Sequence, residues 1–270
     1  MSSPIGLVAG KGKFPLIFAQ EAKKKSQELV VVALKEEANE DFSPYAKSIH
    51  PISVGKLGQI IDTFKNEGVK EAVMAGRVQH TKLFSDIVPD LRASQLLFKI
   101  KDRRADSILG AVADEFEKDG IKLLPSTMFL SHLIPQTGLL TKRKLTDSDE
   151  KNVEFGIRMA QGLSALDLGQ TVVVKRRTVL AVEALEGTDA CIRRAAQLGG
   201  EEIVVVKTAK PNQDLRFDVP VIGLHTIEVL KEVKARVLAI EANRTLMLEK
   251  EKCIDMANSC DISIFAWQEK

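Results

Sequence analysis

Ile5-Gly6-Leu7-Val8-Ala9-Gly10-Lys11-Gly12-Lys13-Phe14-Pro15 is the stretch whose reading decides the fold. The apolar run Ile5 to Ala9 reads as a buried strand. Gly10 to Pro15 then turns the chain into a helical pattern carried by Leu16, Ala19 and Gln20 as far as Lys25. Strand, glycine turn and helix open a nucleotide-binding unit. Glycine lets backbone approach a phosphate, and a helix N-terminus offers N–H groups and the positive end of its dipole. Gly10, Lys11 and Gly12 are therefore candidate substrate-binding residues. Pro15 suits a first helical turn, where a missing N–H costs nothing. The fingerprint is partial. A dinucleotide loop needs glycine where Pro15 stands, and a P-loop needs Ser or Thr after Gly-Lys. A plain tight turn is the alternative.

Outward from this stretch, strand and helix alternate. Leu29–Leu34, Ile49–Val54 and Glu71–Ala75 read as strands, and Leu57, Ile60, Ile61 and Phe64 mark a helix. The pattern predicts a parallel sheet covered by helices. Gly76-Arg77 ends the fourth strand, and Arg77 there is either a phosphate ligand or a surface arginine. Asp90 to Lys118 reads as one or two amphipathic helices. Its basic run, Lys99, Lys101, Arg103 and Arg104, is read as the wet side of a core-facing stripe rather than a membrane-binding face. Pro125, Pro135, Gly138 and the polar run Thr141 to Asp149 change the character of the chain. The expectation is an α/β protein of two domains. Residues 1–132 form a Rossmann-like parallel-sheet domain, and residues 133–270 a mixed α/β domain that carries catalysis.

In the second half, Asp147 or Ser148 is the expected N-cap of a helix running to about Leu166. Thr171–Val174 and Val179–Val182 form a hairpin around Lys175-Arg176-Arg177. Thr188 or Asp189 is the expected cap of the next helix. Ile203–Val206 is a strand leading into Lys207-Thr208-Ala209-Lys210-Pro211-Asn212-Gln213-Asp214-Leu215-Arg216-Phe217-Asp218-Val219-Pro220. Val219–Ile222 reads as a short strand end, Thr226–Val233 as a helix and Val237–Ile240 as a strand closing on Glu241-Ala242-Asn243-Arg244-Thr245. Asp214 and Asp218 can hold a hard divalent cation through oxygen. Lys207, Lys210, Arg216 and Arg244 can neutralise phosphate oxygens. Glu183, Glu186, Asp189, Arg193 and Arg194 repeat that chemistry after another strand. Acids and bases from three strand ends suit a metal-assisted phosphate site. Arg216 and Asp218 would share a face if their segment were a strand.

Composition narrows the function classes. The chain has 270 residues, 44% of them hydrophobic, enough for two cores. A net charge of +2 and 5% aromatic residues argue against a nucleic-acid partner. The three cysteines show no metal or disulfide pattern, and the four histidines are scattered. The reading is a reducing, cytoplasmic protein with no signal peptide and no run long enough to span a bilayer.

Three segments together resemble a known family. They are Glu183-Ala184-Leu185-Glu186-Gly187-Thr188-Asp189, Lys210 to Pro220, and Glu241 to Thr245. The opening Gly6 to Pro15 and Asp167-Leu168-Gly169-Gln170 are similar too. The family is the metal-dependent UDP-2,3-diacylglucosamine pyrophosphatases of lipid A biosynthesis, unrelated to the calcineurin-like phosphoesterases. The resemblance implies a lipid-linked UDP-sugar substrate, attack of water on the α-phosphorus, and release of UMP and 2,3-diacylglucosamine 1-phosphate. It implies Mg²⁺, and Mn²⁺ is a second hard cation of the same kind. It makes Asp218 the essential aspartate. Ala105-Asp106 departs from the family's Asp-Asp, which puts an acidic role there in doubt.

On this reading Asp218 and Asp214 are catalytic and metal-binding, and Glu183 and Glu186 assist. Gly10, Lys11, Gly12, Asp189, Arg193, Lys207, Lys210, Gln213, Arg216, Glu241, Arg244 and Thr245 bind substrate. The acyl chains are expected in an apolar cleft between the domains. The protein is expected to work as a homodimer, peripherally at the inner-membrane surface. Two rival readings stand beside this one. The first is a non-catalytic nucleotide- or sugar-nucleotide-binding regulatory protein. The second is a nicotinamide-dependent oxidoreductase, with Glu36 or Glu37 on a ribose.

Overall fold

The computed structural model describes residues 3–78, 88–100, 105–211, 213–216 and 218–268. His80, Lys101, Arg103, Arg104, Asn212 and Phe217 lie outside the described residues, as do the side chains of Ala105 and Asp106. The chain forms two units. One comprises Met1–Leu130 with Asp214–Asp218, the other Ser131–Gln213 with Val219–Lys270. The segment Asp214–Asp218 therefore groups with the first unit, whereas the sequence assigns it to the second domain.

The first unit is built on a parallel sheet. Its strands are β1 (Ile5–Ala9), β2 (Leu29–Leu34), β3 (Ser48–Ile52), β4 (Glu71–Ala75) and β5 (Lys122–Leu123). Their order is β3-β2-β1-β4-β5. Every residue of β1 is buried, because the strand has a neighbour on each side and cover on both faces. This is why it reads as a continuous apolar run. The helices are α1 (Lys13–Lys24), α2 (Leu57–Asn66), α3 (Leu91–Lys99) and α4 (Ala105–Lys118). Val8, Val30 and Val32 pack with Ile60, Ile61 and Phe64 of α2 and with Ala113 and Phe116 of α4. Burying a side chain such as Phe64 contributes about 1.5–3 kcal/mol. In α3 Ala93 and Leu96 are buried while Leu91 and Leu97 are exposed, and most of the basic run lies outside the described residues.

The second unit is built on a mixed sheet. Its strands are β6 (Gly138–Leu139), β7 (Thr171–Lys175), β8 (Thr178–Val182), β9 (Val204–Lys207), β11 (Val237–Glu241) and β13 (Ser263–Trp267). The order is β6-β13-β11-β9-β7-β8. β9, β11 and β13 are parallel to one another. β7 runs antiparallel to both β8 and β9, so β8 points the same way as β9. β10 (Val221–Ile222) and β12 (Leu246–Met247) form a separate two-stranded parallel pair. The helices are α5 (Asp147–Ala165), α6 (Thr188–Gly199), α7 (Leu224–Glu232) and α8 (Lys250–Ser259).

Alternation along these strands divides the core between two faces. Val172, Val174, Val204 and Val206 meet Val153 and Ala160 of α5. Val173, Val205, Leu238 and Ile240 meet Ile192, Ile227, Leu230 and Cys253 of α6, α7 and α8. α5 sits close because of Gly156, where an added Cβ would come within 2.5 Å of Val206. Burial pushes the Cys191 and Cys253 thiols up to about 12, so both behave as apolar core residues. No helix among the described residues is long and apolar enough to cross a membrane.

Two caps differ from expectation. Thr146, not Asp147 or Ser148, caps α5, in a capping box with Asp149. Gly187 caps α6 without any side-chain bond, which frees the Thr188 hydroxyl for other partners.

Candidate active site

The glycine turn of the first unit lies between β1 and β4, the central pair from which the chain winds outward in opposite directions. Such a switch point is where α/β sheets commonly bind ligands. Here the two exit loops are bound to each other. Gly10 N–H donates to the Ala75 carbonyl at 2.8 Å, and Lys11 N–H to the Arg77 carbonyl at 2.8 Å. Arg77 N–H returns to the Lys11 carbonyl at 3.1 Å. A Cβ at Gly10 would lie 2.7 Å from the Arg77 carbonyl oxygen. Gly76, at φ +91, would meet Gly10 in the same way. These glycines serve the close approach of two loops, so the backbone N–H groups of Gly10 and Lys11 are not presented to a phosphate. Gly12 differs. It caps α1 at φ +97 and has open space beside it. Lys11 and Arg77 are exposed at the same edge.

Leu215 and Arg216 form a turn rather than a strand. Asp218 N–H donates to the Asp214 carbonyl at 2.9 Å, and the buried Ser126 donates its N–H to the Leu215 carbonyl at 3.0 Å. The expectation that Arg216 and Asp218 share a strand face therefore does not apply. Arg216 turns to Asp214 instead, reaching Oδ2 through Nη2 at 2.7 Å and Oδ1 through Nε at 3.0 Å. That guanidinium holds the Asp214 carboxyl below its ordinary value, against the opposing effect of burial. Asp218 is half-buried.

In the second unit, β8, β9 and β11 end on one edge of the sheet and bring Glu183, Lys207 and Glu241 to it. Lys207 is only 7% exposed. Its ammonium donates to Thr188 Oγ1 at 2.9 Å, and the Thr188 hydroxyl donates to Glu183 Oε1 at 2.8 Å. Glu183 Oε2 is buried without a hydrogen-bond partner among the described residues. Beside this chain, Glu241 Oε2 accepts from Thr208 Oγ1 at 2.7 Å and from Ala209 N–H at 2.8 Å. Glu241 Oε1 accepts from Arg244 Nη1 at 3.1 Å, while Arg244 Nη2 donates to the Lys210 carbonyl at 2.7 Å. Lys210 Nζ lies 2.7 Å from Asp167 Oδ1, and Gln213 Oε1 accepts from Lys210 N–H at 2.8 Å. Glu241 thus fixes the exit of β9 with both carboxylate oxygens.

Other expected site residues are placed elsewhere. Glu186 accepts from Arg194 Nη2 at 2.6 Å and from Ala184 N–H at 3.0 Å, which closes its own turn. Arg194 holds the Glu186 carboxyl below its usual range. Arg193 pairs with Glu232 of α7, and Asp189 lies 3.3 Å from His225. Thr245 is wholly buried and its hydroxyl oxygen has no hydrogen-bond partner among the described residues. The two glutamates considered for a cofactor ribose have other surroundings. Glu36 is engaged by Ser53 and Val54, and Glu37 is buried. Sequence reasoning missed Thr188 and Asp167 as parts of this edge. The signal for both was their place in the quoted segments, where each was read only as a cap or a helix end.

Comparison with known proteins settles the family. Residues 4–133 match the LpxI N-terminal domain model and residues 136–265 the LpxI C-terminal domain model. The chain belongs to the LpxI family. A relative from Caulobacter vibrioides, UDP-2,3-diacylglucosamine pyrophosphatase LpxI, is 30% identical over 97% of this chain and 95% of its own length. Among solved structures, the biotin carboxylase domain of Hydrogenobacter thermophilus 2-oxoglutarate carboxylase aligns with TM-score 0.27 and 13% identity. It covers 72% of this chain and 40% of that one. The biotin carboxylase subunit of pyruvate carboxylase gives 0.28 and 12%, over 74% and 43%. Likenesses this slight say nothing about the LpxI-family chain.

Proposed function

We propose that this chain hydrolyses the pyrophosphate bridge of UDP-2,3-diacylglucosamine, giving UMP and 2,3-diacylglucosamine 1-phosphate for lipid A biosynthesis. One observation carries the reading. The Caulobacter relative that bears this activity in its name is similar along almost the whole chain. The polar sheet edge supports it chemically. Both phosphates of the substrate are negatively charged, and hydrolysis adds charge at the phosphorus under attack. Preorganised cations in a water-poor site stabilise that change. Lys207 is the strongest such group, since burial keeps its ammonium from bulk water. Arg244 and Lys210 add positive charge on the loop that Glu241 holds. We assign Asp218 to orienting the attacking water or holding a metal, and Glu183 to the support of Lys207 through Thr188.

A Mg²⁺ or Mn²⁺ requirement belongs to this reading. Among the described residues no three His, Cys, Asp or Glu side chains are grouped as a metal cage. Asp214, bound across both oxygens by Arg216, does not suit a ligand's role. Mg²⁺ is commonly held by one or two carboxylates, with water and substrate phosphates completing its shell. Asp218 fits that pattern. When bound, the ion would supply charge neutralisation at the pyrophosphate. We place the protein as a homodimer, peripherally at the cytoplasmic face of the inner membrane, where a doubly acylated substrate lies.

Incubation with UDP-2,3-diacylglucosamine and Mg²⁺ should release UMP. Exhaustive chelation should abolish the release, and added Mg²⁺ should restore it. Full activity after chelation would exclude the metal, and absence of UMP under all conditions would exclude the reaction. In the second case, stabilisation by UMP without turnover would favour a nucleotide-binding regulatory protein.

A further inference from the structure

We infer that Thr188 is a positioning residue of the phosphate site, holding the Lys207 ammonium in place for a phosphate oxygen; the inference rests on the pyrophosphatase reading. Lys207 ends β9 and is 7% exposed, yet its ammonium meets no carboxylate among the described residues. Its side-chain partner is the Thr188 hydroxyl at 2.9 Å. The direction of the chain follows from chemistry. An ammonium only donates, so the Thr188 oxygen accepts, and the Thr188 proton must go elsewhere. It goes to Glu183 Oε1 at 2.8 Å. Glu183 Oε1 is therefore the acceptor at the end of the chain.

The hydroxyl acts as a spacer. A direct ion pair with Glu183 would commit the ammonium to that carboxylate. Through Thr188 the negative charge stays close enough to support a buried cation, while two of the three ammonium N–H groups remain for a ligand. Local structure fixes the spacer. Thr188 is the first residue of α6, its branched side chain has few rotamers there, and Gly187 caps the helix without it. A glutamate oxygen buried without a hydrogen-bond partner among the described residues lies at the other end of the chain. The ammonium, the hydroxyl and the carboxyl are therefore linked end to end at the strand edge.

Thr188→Val removes the hydroxyl at similar volume, Thr188→Ala removes it with less bulk, and Thr188→Ser retains it. Two readouts are compared with wild type: the affinity for inorganic pyrophosphate by calorimetry, and KM and kcat on the diacylated UDP-sugar. Losing an acceptor of a charged group should weaken pyrophosphate binding about tenfold in Thr188→Val and Thr188→Ala. KM should rise with it, Thr188→Ser should restore most of the loss, and melting temperatures should stay within a few degrees. A merely structural role would lower the active fraction and leave KM unchanged. Wild-type pyrophosphate affinity in both hydroxyl-less variants, or a Thr188→Ser protein as impaired as Thr188→Val, would overturn the inference. If wild type makes no UMP but the variants lose pyrophosphate, the activity reading fails and the Thr188 assignment stands.

Discussion

Asp218→Ala should reduce turnover by roughly 10²–10⁴-fold, the usual contribution of a positioned acid or base, with melting temperature and UMP affinity close to wild type. The turn around Asp218 is held by backbone bonds. Its N–H reaches the Asp214 carbonyl, and Ser126 holds the Leu215 carbonyl. Both survive the substitution, so these backbone ties of the segment are kept. Asp214→Ala is the useful contrast. It leaves Arg216 without its bidentate partner and should disturb the turn itself. Steady-state rates together with thermal melts distinguish the two effects. A well-folded Asp218→Ala protein with wild-type turnover would remove the residue on which the chemistry depends.

The largest stability effect is expected at Asp149. This carboxylate is 2% exposed and accepts from Arg143 Nη2 at 2.8 Å, Arg236 Nε at 2.9 Å and Thr146 N–H at 3.0 Å. It joins the start of α5 to the start of β11. Burial works against its ionisation, but the Thr146 N–H and the Arg143 guanidinium outweigh that, and its carboxyl titrates below the ordinary aspartate value. Removing one member of a buried charge network leaves the others uncompensated, at a cost of about 3–5 kcal/mol. For a domain of this size that lowers the melting temperature by roughly 10 °C. Asp149→Ala should show this loss at neutral pH. The sign of the pH dependence follows from the depressed value. The contribution is complete above the unfolded aspartate pKa of about 3.9 and is lost as pH falls through the lower folded value. Wild type and variant should therefore converge in strong acid. Equal melting temperatures at neutral pH would show that the network contributes nothing.

The fold was legible where burial leaves a period. Ile5–Ala9, Leu29–Leu34 and Val204–Val206 are buried on both faces and read as apolar runs, and α2 announces itself through Leu57, Ile60, Ile61 and Phe64. α8 carries no such signal: it buries only the small residues Cys253 and Ala257, so it has no apolar stripe. β13 does carry an apolar run, Ile264 to Trp267, which the sequence reading leaves out. β5 and β6 are two residues long and exist because a neighbouring strand accepts them.

At the candidate site, residue types were legible and partners were not. Glu241 and Lys207 were both read as groups facing substrate. In the structure Glu241 ties down a loop, and Lys207 rests on a threonine that reads as a cap. Asp214 was read as a metal ligand, although the guanidinium two residues along the chain takes both its oxygens. Gly10 was read as room for a phosphate, and the room is taken by the Arg77 carbonyl. Each of these outcomes depends on contacts made by the folded backbone, which residue spacing alone does not encode.

Hydrolysis of UDP-2,3-diacylglucosamine in ¹⁸O-water with Mg²⁺, followed by mass spectrometry of both products, is the most direct test of the reaction. Attack at the UMP-side phosphorus predicts one ¹⁸O in UMP and none in 2,3-diacylglucosamine 1-phosphate. Label in the sugar phosphate would contradict it.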